Sequence, residues 1–324
     1  MDKQNTSVQS VLGLHHLTAI AGNPQKNYDF YSGILGLRLV KKTVNFDDPF
    51  TYHLYYGDYS GSPGTILTFF PWSENAKRGK KGSGQITAIP FSINSDSIDF
   101  WTERLKKFNI EFYGPYKRLN EEVISFEDHD GFEIELVASG NKPVNSKGNG
   151  KIPEEHSIHG FNHTVLTLDG ISRTEELLIN ELGFEKIAVE NNRHRYGIKN
   201  DAAGKFIDII NQPNSLPGRM GVGAIHHVAW RTEDDVSQLI FRDRLNRNGY
   251  NVTPVMDRNY FHSIYFREPG NVLFEIATDP PGFLIDEPLE ELGTHLKLPE
   301  WYEKNRSEIE KNLLPLNTKE NARI

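Results

Sequence analysis

Apolar and polar residues alternate along short stretches of this chain, and the stretches between them have apolar residues three and four positions apart. Near residue 13 the chain contains the apolar, strand-like run GLHHLTAIAG. The next segment, NPQKNYDFYSGILGL, has an Asn at the N-cap position, a Pro in the first turn and a closing Gly, which predicts a helix. Three alternating segments follow, each of which predicts a strand: RLVKKTVNF, TYHLYYGD and GTILTFFP. The first part of the chain therefore predicts one βαβββ unit.

The same order of elements recurs three more times, which indicates an internal repeat. The second unit begins at residue 84 with GQITAIPFSI, SIDFWTERLKKFNI and EVISFEDHDGFEIELVA. The third begins at residue 160 with GFNHTVLTL, ISRTEELLINELGF, EKIAVENNRHRYGIK and KFIDIINQP. The fourth begins at residue 223 with GAIHHVAWRT, DDVSQLIFRDRLNRNGY, VTPVMDR, FHSIYFREPG and NVLFEIATD. We therefore predict an α+β protein built from four βαβββ modules.

The modules suggest a division of the chain. Modules one and two occupy residues 10–138, and modules three and four occupy residues 158–283. Residues 139–157 are rich in Gly, Pro, Asn, Ser and Lys, which is typical of a linker. The C-terminal tail, residues 284–324, is acidic and partly helical in pattern and has no strand signals. We expect the tail to pack against the modules rather than to carry catalytic residues.

Composition narrows the classes of function. The 324-residue chain has no cysteine, so a metal must be bound by nitrogen and oxygen ligands. Its net charge of −8 argues against nucleic acid as a partner. No apolar run approaches the roughly 20 residues that span a bilayer, and the N-terminus lacks an apolar signal core. These features predict a cytoplasmic protein with no membrane partner, and they leave homo-oligomer formation open.

Two histidine pairs occupy the same place in two modules: His15-His16 opens module one and His226-His227 opens module four. Successive side chains of a strand point to opposite faces, so one histidine of each pair should face the interior. The spacing Gly13-x-x-His16 recurs as Gly160-x-x-His163, which favours the second histidine of each pair. Module two has Ile86-Thr87 at this place and offers no ligand there.

A carboxylate on the last strand of module four completes a candidate metal site. Glu275 lies in the apolar run PGNVLFEI, where an ionised side chain is costly unless it is paired or bound to a metal. Two imidazoles and one carboxylate form the facial triad that non-haem Fe(II) oxygenases use, and they leave positions open for substrate and O₂.

Spacing alone leaves two triads open. Pairing of neighbouring modules would combine His163, His227 and Glu275, whereas pairing of the first and last modules would combine His16, His227 and Glu275. Glu135, in GFEIELVA, matches the position of Glu275, but a pair of modules two and three would carry only His163 and Glu135 as ligands.

Four βαβββ modules are typical of the vicinal oxygen chelate superfamily, which includes glyoxalases, bleomycin resistance proteins and extradiol dioxygenases. In that fold, two modules combine their curved sheets into a partly closed barrel, and metal ligands project into its cavity. The chain also resembles the ring-cleaving dioxygenases of the methylhydroquinone and catechol detoxification type and is similar to chlorohydroquinone dioxygenases. The resemblance covers nearly the whole chain and rests on these segments: LHHLTAIAGNPQKNYDFYSGILGLRLVKKTVNFDD, YHLYYGD, GTILTFFPW, RGKKGSGQ, NRHRYGIK, IHHVAW, DRNYFHSIYFREPGNVLFE and DEPLEELGTHLKLP.

The resemblance implies a specific site. It implies iron ligands at His16, His227 and Glu275, and therefore a barrel shared by modules one and four. It also implies supporting roles for four further residues: Tyr265, Arg258, His15 and His226. The expected activity is cleavage of a hydroquinone or catechol ring with O₂ by bound Fe(II), in the detoxification of aromatic compounds.

Within this expectation, Arg258 would stabilise developing oxyanion charge, and Tyr265 or a neighbouring histidine would exchange a proton. His53 and His194 are expected to be packing or interdomain residues, and His262 is expected to lie outside the site. Two rivals remain: a glyoxalase-like lyase or isomerase, which generally recruits four protein ligands, and a metal-free protein that binds aromatic compounds. The segment GTILTFFP at the end of module one supplies no fourth carboxylate.

Overall fold

The structure, a computed structural model, describes residues 9–140, 150–200 and 204–318. Of the predicted linker, residues 141–149 lie outside the described residues. Within the described part of the chain, no helix is both long enough and apolar enough to cross a membrane.

Four βαβββ modules follow one another, as the hydrophobic pattern predicts. Module one contains β1 (Leu14–Ala21), α1 (Pro24–Tyr28), β2 (Arg38–Asn45), β3 (Asp48–Gly57) and β4 (Ile66–Pro71). Module two contains β5 (Gln85–Ile93), α2 (Ile98–Lys107), β6 (Phe112–Arg118), β7 (Glu121–Glu127) and β8 (Glu133–Ala138). Module three contains β9 (His163–Leu168), α3 (Ser172–Asn180), β10 (Glu185–Glu190), β11 (Arg193–Gly197) and β12 (Phe206–Asn211). Module four contains β13 (Ala224–Thr232), α4 (Asp235–Arg247), β14 (Met256–Asp257), β15 (Phe261–Arg267) and β16 (Leu273–Pro281).

Two elements differ from their predicted form. The helix of module one begins as predicted, with the Asn23 side chain accepting hydrogen bonds from the first-turn amides, but residues 29–34 continue it as a π-helical turn. The predicted strand VTPVMDR is reduced to the two residues of β14. Pro254 lies in this segment, and a proline cannot donate a ladder hydrogen bond, so the strand starts only after it.

The sheet pairs the first module with the last. β1 lies antiparallel to β13, with Leu17 opposite Val228, and this pairing unites modules one and four. β5 lies antiparallel to β9, which unites modules two and three. A bridge between Ile86 and Ile225 joins the two pairs into one sheet of 16 strands, which is not closed. The α+β fold of paired βαβββ modules is confirmed, and the pairing is the one that the resemblance implies.

The C-terminal tail packs against module one. It contains the short helices α5 (Glu300–Glu303) and α6 (Arg306–Asn312), and Leu298, Ile309 and Leu313 bury their side chains beside Val44 of β2. An ion pair adds to this contact. Lys41 of β2 is fully buried, and its Nζ lies 2.5 Å from Asp286 Oδ1 and 2.5 Å from Glu287 Oε2.

We expect Lys41→Met to destabilise the protein by about 3–5 kcal/mol, because Glu287 would remain charged in a buried site without its cation. Urea unfolding at neutral pH measures this difference. Lys81→Met is the matched control: the Lys81–Glu127 pair is exposed and should change stability by less than about 1 kcal/mol. Equal losses of unfolding free energy in the two variants would show that the buried Lys41 ion pair does not stabilise the contact between the tail and module one.

Candidate metal centre

Three buried side chains from modules one and four converge on one point. His16 Nε2 lies 3.2 Å from His227 Nε2 and 3.4 Å from Glu275 Oε2. His227 Nε2 lies 2.9 Å from the same carboxylate oxygen. All three residues are buried, and the triad is the group in the described residues whose ligand atoms are arranged to hold a metal ion. The structure thus brings together the three residues proposed as ligands from the sequence.

The strand pairing explains this convergence. His16 lies opposite Ala229 in the antiparallel pair of β1 and β13, so His16 and His227 belong to adjacent strands. Glu275 lies opposite Ala229 in the parallel pair of β13 and β16. Side chains two residues apart on a strand share a face, so the His227 and Ala229 side chains lie on one face of β13. Because Glu275 is paired with Ala229, its side chain lies on that same face of the sheet. The competing residue His163 lies on β9 in the other pair of modules.

The neighbouring histidine fixes the proton position on His16. His15 Nδ1 lies 2.9 Å from His16 Nδ1, and the Thr278 carbonyl accepts a hydrogen bond from the His15 ring. Burial lowers the pKa of His15 well below its usual value, so the ring is neutral and its other nitrogen accepts. His16 Nδ1 therefore donates to His15, and His16 Nε2 presents a lone pair to the site.

His226 stands in the same relation to His227. The two Nδ1 atoms lie 2.8 Å apart, and burial lowers the pKa of His226 to about 3. The neutral His226 ring can therefore accept from His227 Nδ1 and leave His227 Nε2 free to bind a metal. The two partners differ in access: His226 also lines the cavity described below, whereas His15 lies behind the ligand and packs against Phe261.

We expect His15→Phe to weaken metal binding by about 10–100-fold, because the His16 ring would lose the acceptor that orients it. Competition with a chelator measures this affinity. His262→Phe is the matched control, since His262 pairs with Asp235 outside the cavity and should leave the affinity unchanged. An unchanged affinity in His15→Phe would show that His15 does not orient the ligand.

The carboxylate of Glu275 has one oxygen held and one oxygen free. Ser263 donates a hydrogen bond to Oε1 at 2.5 Å, whereas Oε2 has no hydrogen-bond partner among the described residues. A buried, ionised oxygen that faces two imidazole nitrogens is the donor set for a cation, so the residues present fit a bound metal ion.

A cavity of about 350 Å³ opens over the triad. Its lining includes two of the three candidate ligands, several aromatic side chains and a few polar ones: His16, Thr18, Asn45, Phe46, Asp47, His53, Tyr55, Phe70, Trp72, His226, His227, Arg258, Phe261, Tyr265 and Leu273. Arg258 Nε donates a hydrogen bond to the Tyr265 hydroxyl at 3.2 Å, and Arg258 Nη1 lies 3.2 Å from Asp47 Oδ2. Both residues expected near the substrate therefore lie in the wall of this cavity.

His53 is the site residue that the sequence interpretation missed. It was expected to be a packing residue, yet it lies in the cavity wall. Its Nδ1 lies 2.8 Å from the Tyr55 hydroxyl, and its Nε2 lies 2.8 Å from Thr68 Oγ1. Thr68 in turn donates to Thr18 Oγ1 at 2.8 Å. The sequence did contain a signal for His53. β3 and β15 occupy the same place in their modules, and β15 carries Tyr265, so aligning the ends of the modules as well as their openings would have pointed to β3.

Thr68 stands in module one where Glu275 stands in module four. Thr68 lies opposite Thr18 in the pair of β1 and β4, and Glu275 lies opposite Ala229 in the pair of β13 and β16. Thr18 and Ala229 each follow the second histidine of their strand by two residues. The position of a fourth ligand is therefore filled by a neutral hydroxyl that is already engaged in hydrogen bonds.

The second pair of modules also needs correction. The predicted equivalent of the ligand position in module two, Ile86-Thr87, is one residue early, because Ala88 lies opposite Val165 as His16 lies opposite Ala229. The conclusion that this module opens without a ligand still holds.

Comparison with known proteins extends these observations. The family model of the Glyoxalase/Bleomycin resistance protein/Dioxygenase superfamily matches residues 13–136. The chain is 45% identical over 312 residues to the protein named "Putative ring-cleaving dioxygenase MhqO" from Bacillus subtilis (strain 168), covering 96% of this chain and 99% of that protein. It is 33% identical over 310 residues to the chlorohydroquinone/hydroquinone 1,2-dioxygenase of Sphingobium indicum, covering 93% of this chain and 95% of that protein.

A solved structure agrees with these matches. A crystal structure titled as a putative dioxygenase from Bacillus subtilis subsp. subtilis str. 168 superposes with a TM-score of 0.92 at 45% identity, covering 97% of this chain and all of the other. The predicted enzyme class, a ring-cleaving dioxygenase, is confirmed by relatives that match over nearly the whole chain. The chain belongs to the glyoxalase, bleomycin resistance protein and dioxygenase superfamily.

Proposed function

We propose that this protein is an Fe(II)-dependent, extradiol-type dioxygenase that cleaves the ring of a hydroquinone or a catechol with O₂. One observation carries the proposal: two imidazole nitrogens and one unpartnered carboxylate oxygen converge beneath an aromatic-lined cavity, and no fourth protein ligand stands beside them in the described residues. Two histidines and one carboxylate form the ligand set that non-haem iron oxygenases use.

His16, His227 and Glu275 would hold the iron. A bound Fe(II) would supply open coordination positions and the redox chemistry for the reaction of a diphenol with O₂. The rest of the work falls to the protein, which must orient the ring, exclude water and manage protons.

The cavity suits a compound with a single aromatic ring. Its volume of about 350 Å³ lies near the lower end of the range for small-molecule sites. Phe261, Phe70 and Leu273 give it apolar walls against which a ring can pack. These walls also exclude water, which strengthens each electrostatic interaction inside the site.

Arg258 and Tyr265 supply the polar groups of the wall. The Arg258 guanidinium is a fixed positive charge that would stabilise a phenolate or a developing oxyanion on the substrate. Burial, together with the charge of Glu275, raises the pKa of Tyr265 above its usual value, so its hydroxyl stays protonated. Tyr265 can therefore donate a proton or a hydrogen bond to a substrate oxygen.

We expect Tyr265→Phe to lower kcat by about 10²–10⁴-fold, because the substrate would lose its positioned proton donor. Metal content should stay at the level of the unmodified protein, since Tyr265 is not a ligand. Stopped-flow absorbance with the iron-loaded enzyme measures the rate. Tyr113→Phe serves as the control, because Tyr113 is 82% exposed and does not belong to the cavity lining. A normal rate in Tyr265→Phe would remove this residue from the mechanism.

The resemblance to detoxification enzymes leads us to place this activity in the removal of aromatic compounds in the cytoplasm. A glyoxalase-like lyase is disfavoured, because Thr68 stands where such a site would need its fourth ligand. The test is turnover of substituted hydroquinones and catechols by protein loaded anaerobically with Fe(II) and, in parallel, with Zn(II). We expect ring opening only with iron. Activity with zinc and without O₂ would instead support a lyase or isomerase.

A further inference from the structure

The second pair of modules repeats the ligand positions of the candidate metal centre. In module three, Asp208 lies opposite Val165, which follows His163 by two residues. In module two, Glu135 lies opposite Pro90 of β5. Both carboxylates therefore stand at the strand position that the metal-binding carboxylate has in module four. The sequence interpretation counted only His163 and Glu135 here. It missed Asp208, which is a third residue able to act as a metal ligand.

These three side chains converge in the interior. His163 Nε2 lies 3.3 Å from Asp208 Oδ2 and 3.8 Å from Glu135 Oε2, and none of the three residues is more than 1% exposed. His163 Nδ1 lies 2.8 Å from the Asn162 side-chain oxygen, whose amide nitrogen donates to Glu121.

The proton on His163 follows from these contacts. An amide oxygen only accepts, so His163 Nδ1 carries the proton. Burial holds the pKa of His163 well below its usual value, which keeps the ring neutral. Its Nε2 lone pair therefore faces two carboxylates, and this atom has no hydrogen-bond partner in the described part of the chain. The three residues hold the same strand positions as a metal-ligand set, but among the described residues only His16, His227 and Glu275 have all their ligand atoms close enough together to hold an ion.

Guanidinium groups occupy the place of a cation. Arg118 donates to both oxygens of Glu135, at 2.7 and 2.5 Å. Arg195 donates to both oxygens of Asp208, at 2.7 and 3.0 Å. Burial by itself would raise the pKa of Asp208, but the hydrogen bonds and charge of Arg195, together with the charge of Arg193, hold it below its usual value. Both carboxylates are therefore ionised and already compensated.

The charge of the cluster is balanced without a metal. Arg193 also contacts Asp208, at 2.9 Å, and Arg195 also contacts Glu121, at 2.6 Å. Three guanidinium groups thus face three carboxylates around a neutral histidine. A divalent cation added to this cluster would meet an excess of positive charge, so the cluster should not bind one.

We propose that His163, Glu135 and Asp208 form a second, latent metal-ligand set in which Arg118 and Arg195 replace the cation. Removing both guanidinium groups leaves a deficit of two positive charges, which one divalent cation restores. The inference is independent of the proposed function, because it concerns the module pair that lacks the candidate catalytic cavity.

The test is the number of Co(II) ions bound by the double variant Arg118→Met/Arg195→Met, counted against the unmodified chain by elemental analysis and the visible spectrum of Co(II). We expect one additional Co(II) per chain, and we expect the gain to persist when Glu275→Gln disables the first site. Adding His163→Gln should abolish it. A folded double variant that binds no additional Co(II) would overturn the proposal.

If the double variant does not fold without metal, a second measurement on single variants tests the proposal. The single variant Arg118→Met leaves Glu135 uncompensated, and Co(II) should raise its thermal unfolding midpoint by several degrees more than it raises that of the unmodified protein. Arg118→Lys retains a cation and should show no such additional rise. Equal midpoint shifts in Arg118→Met and Arg118→Lys would contradict the proposal.

Discussion

Replacing Glu275 by Gln is expected to abolish iron binding and ring cleavage while making the metal-free protein more stable. The carboxamide keeps an oxygen for the Ser263 hydroxyl, but it removes the buried negative charge whose Oε2 has no partner among the described residues. Removing a buried polar group that has no hydrogen-bond partner should raise the free energy of unfolding by about 1–3 kcal/mol. Loss of affinity should exceed the roughly 10–100-fold effect of removing a residue that only orients a ligand.

Glu268→Gln is the matched control for this prediction. Glu268 is also buried, but both of its oxygens accept hydrogen bonds, from Thr174 at 2.6 Å, Gly270 N at 2.8 Å and Val272 N at 2.9 Å. We expect this variant to lose stability and to keep its metal. Chemical unfolding of metal-free samples and metal analysis of loaded samples separate the two cases. Normal metal content in Glu275→Gln would refute the assigned ligand set.

Replacing Thr68 by Glu is expected to tighten metal binding and to stop oxygen chemistry. The strand register places residue 68 as Glu275 is placed, so a carboxylate there can reach the metal as a fourth protein ligand. A fourth ligand would occupy a position that substrate or O₂ requires, and activity with O₂ should fall by at least about 10³-fold, as when an essential transition-state contact is lost.

Thr68→Gln separates charge from size, since a neutral carboxamide of the same length is a weak ligand. The visible spectrum of the Co(II)-loaded variants reports the coordination number, and competition with a chelator reports affinity. We expect both to change in Thr68→Glu and to stay near the unmodified values in Thr68→Gln. An unchanged Co(II) spectrum in Thr68→Glu would mean that residue 68 does not face the metal.

Local patterns in the sequence were enough to predict the modules and to nominate the candidate ligands. The alternation of strands and the Asn23 cap are short-range features, and the His-His pairs repeat at the openings of modules one and four. Glu275 was identifiable because a carboxylate in an apolar strand must have a partner.

The pairing of modules was not readable from these patterns. Whether His16 or His163 joins His227 depends on which strands hydrogen-bond, and spacing within one strand says nothing about that. The resemblance to known dioxygenases supplied this choice, and the antiparallel pairing of β1 with β13 agrees with it.

The missed residues share a physical cause. His53 looks like an ordinary strand histidine until β3 folds over β4 and places it beside Thr68 and Tyr55. Asp208 looks like a surface acid until Arg195 and His163 meet it in the interior. Such clusters form between paired strands, so only the strand pairing and its register reveal them.

The most direct test of the central claim uses protein loaded anaerobically with Fe(II), mixed with a hydroquinone or a catechol and isotopically labelled O₂. The account predicts one O₂ consumed per ring opened and label in the ring-opened product, with both lost in Glu275→Gln. Iron-loaded protein that consumes no O₂ with any diphenol, or that opens the ring equally well after Glu275→Gln, would contradict it.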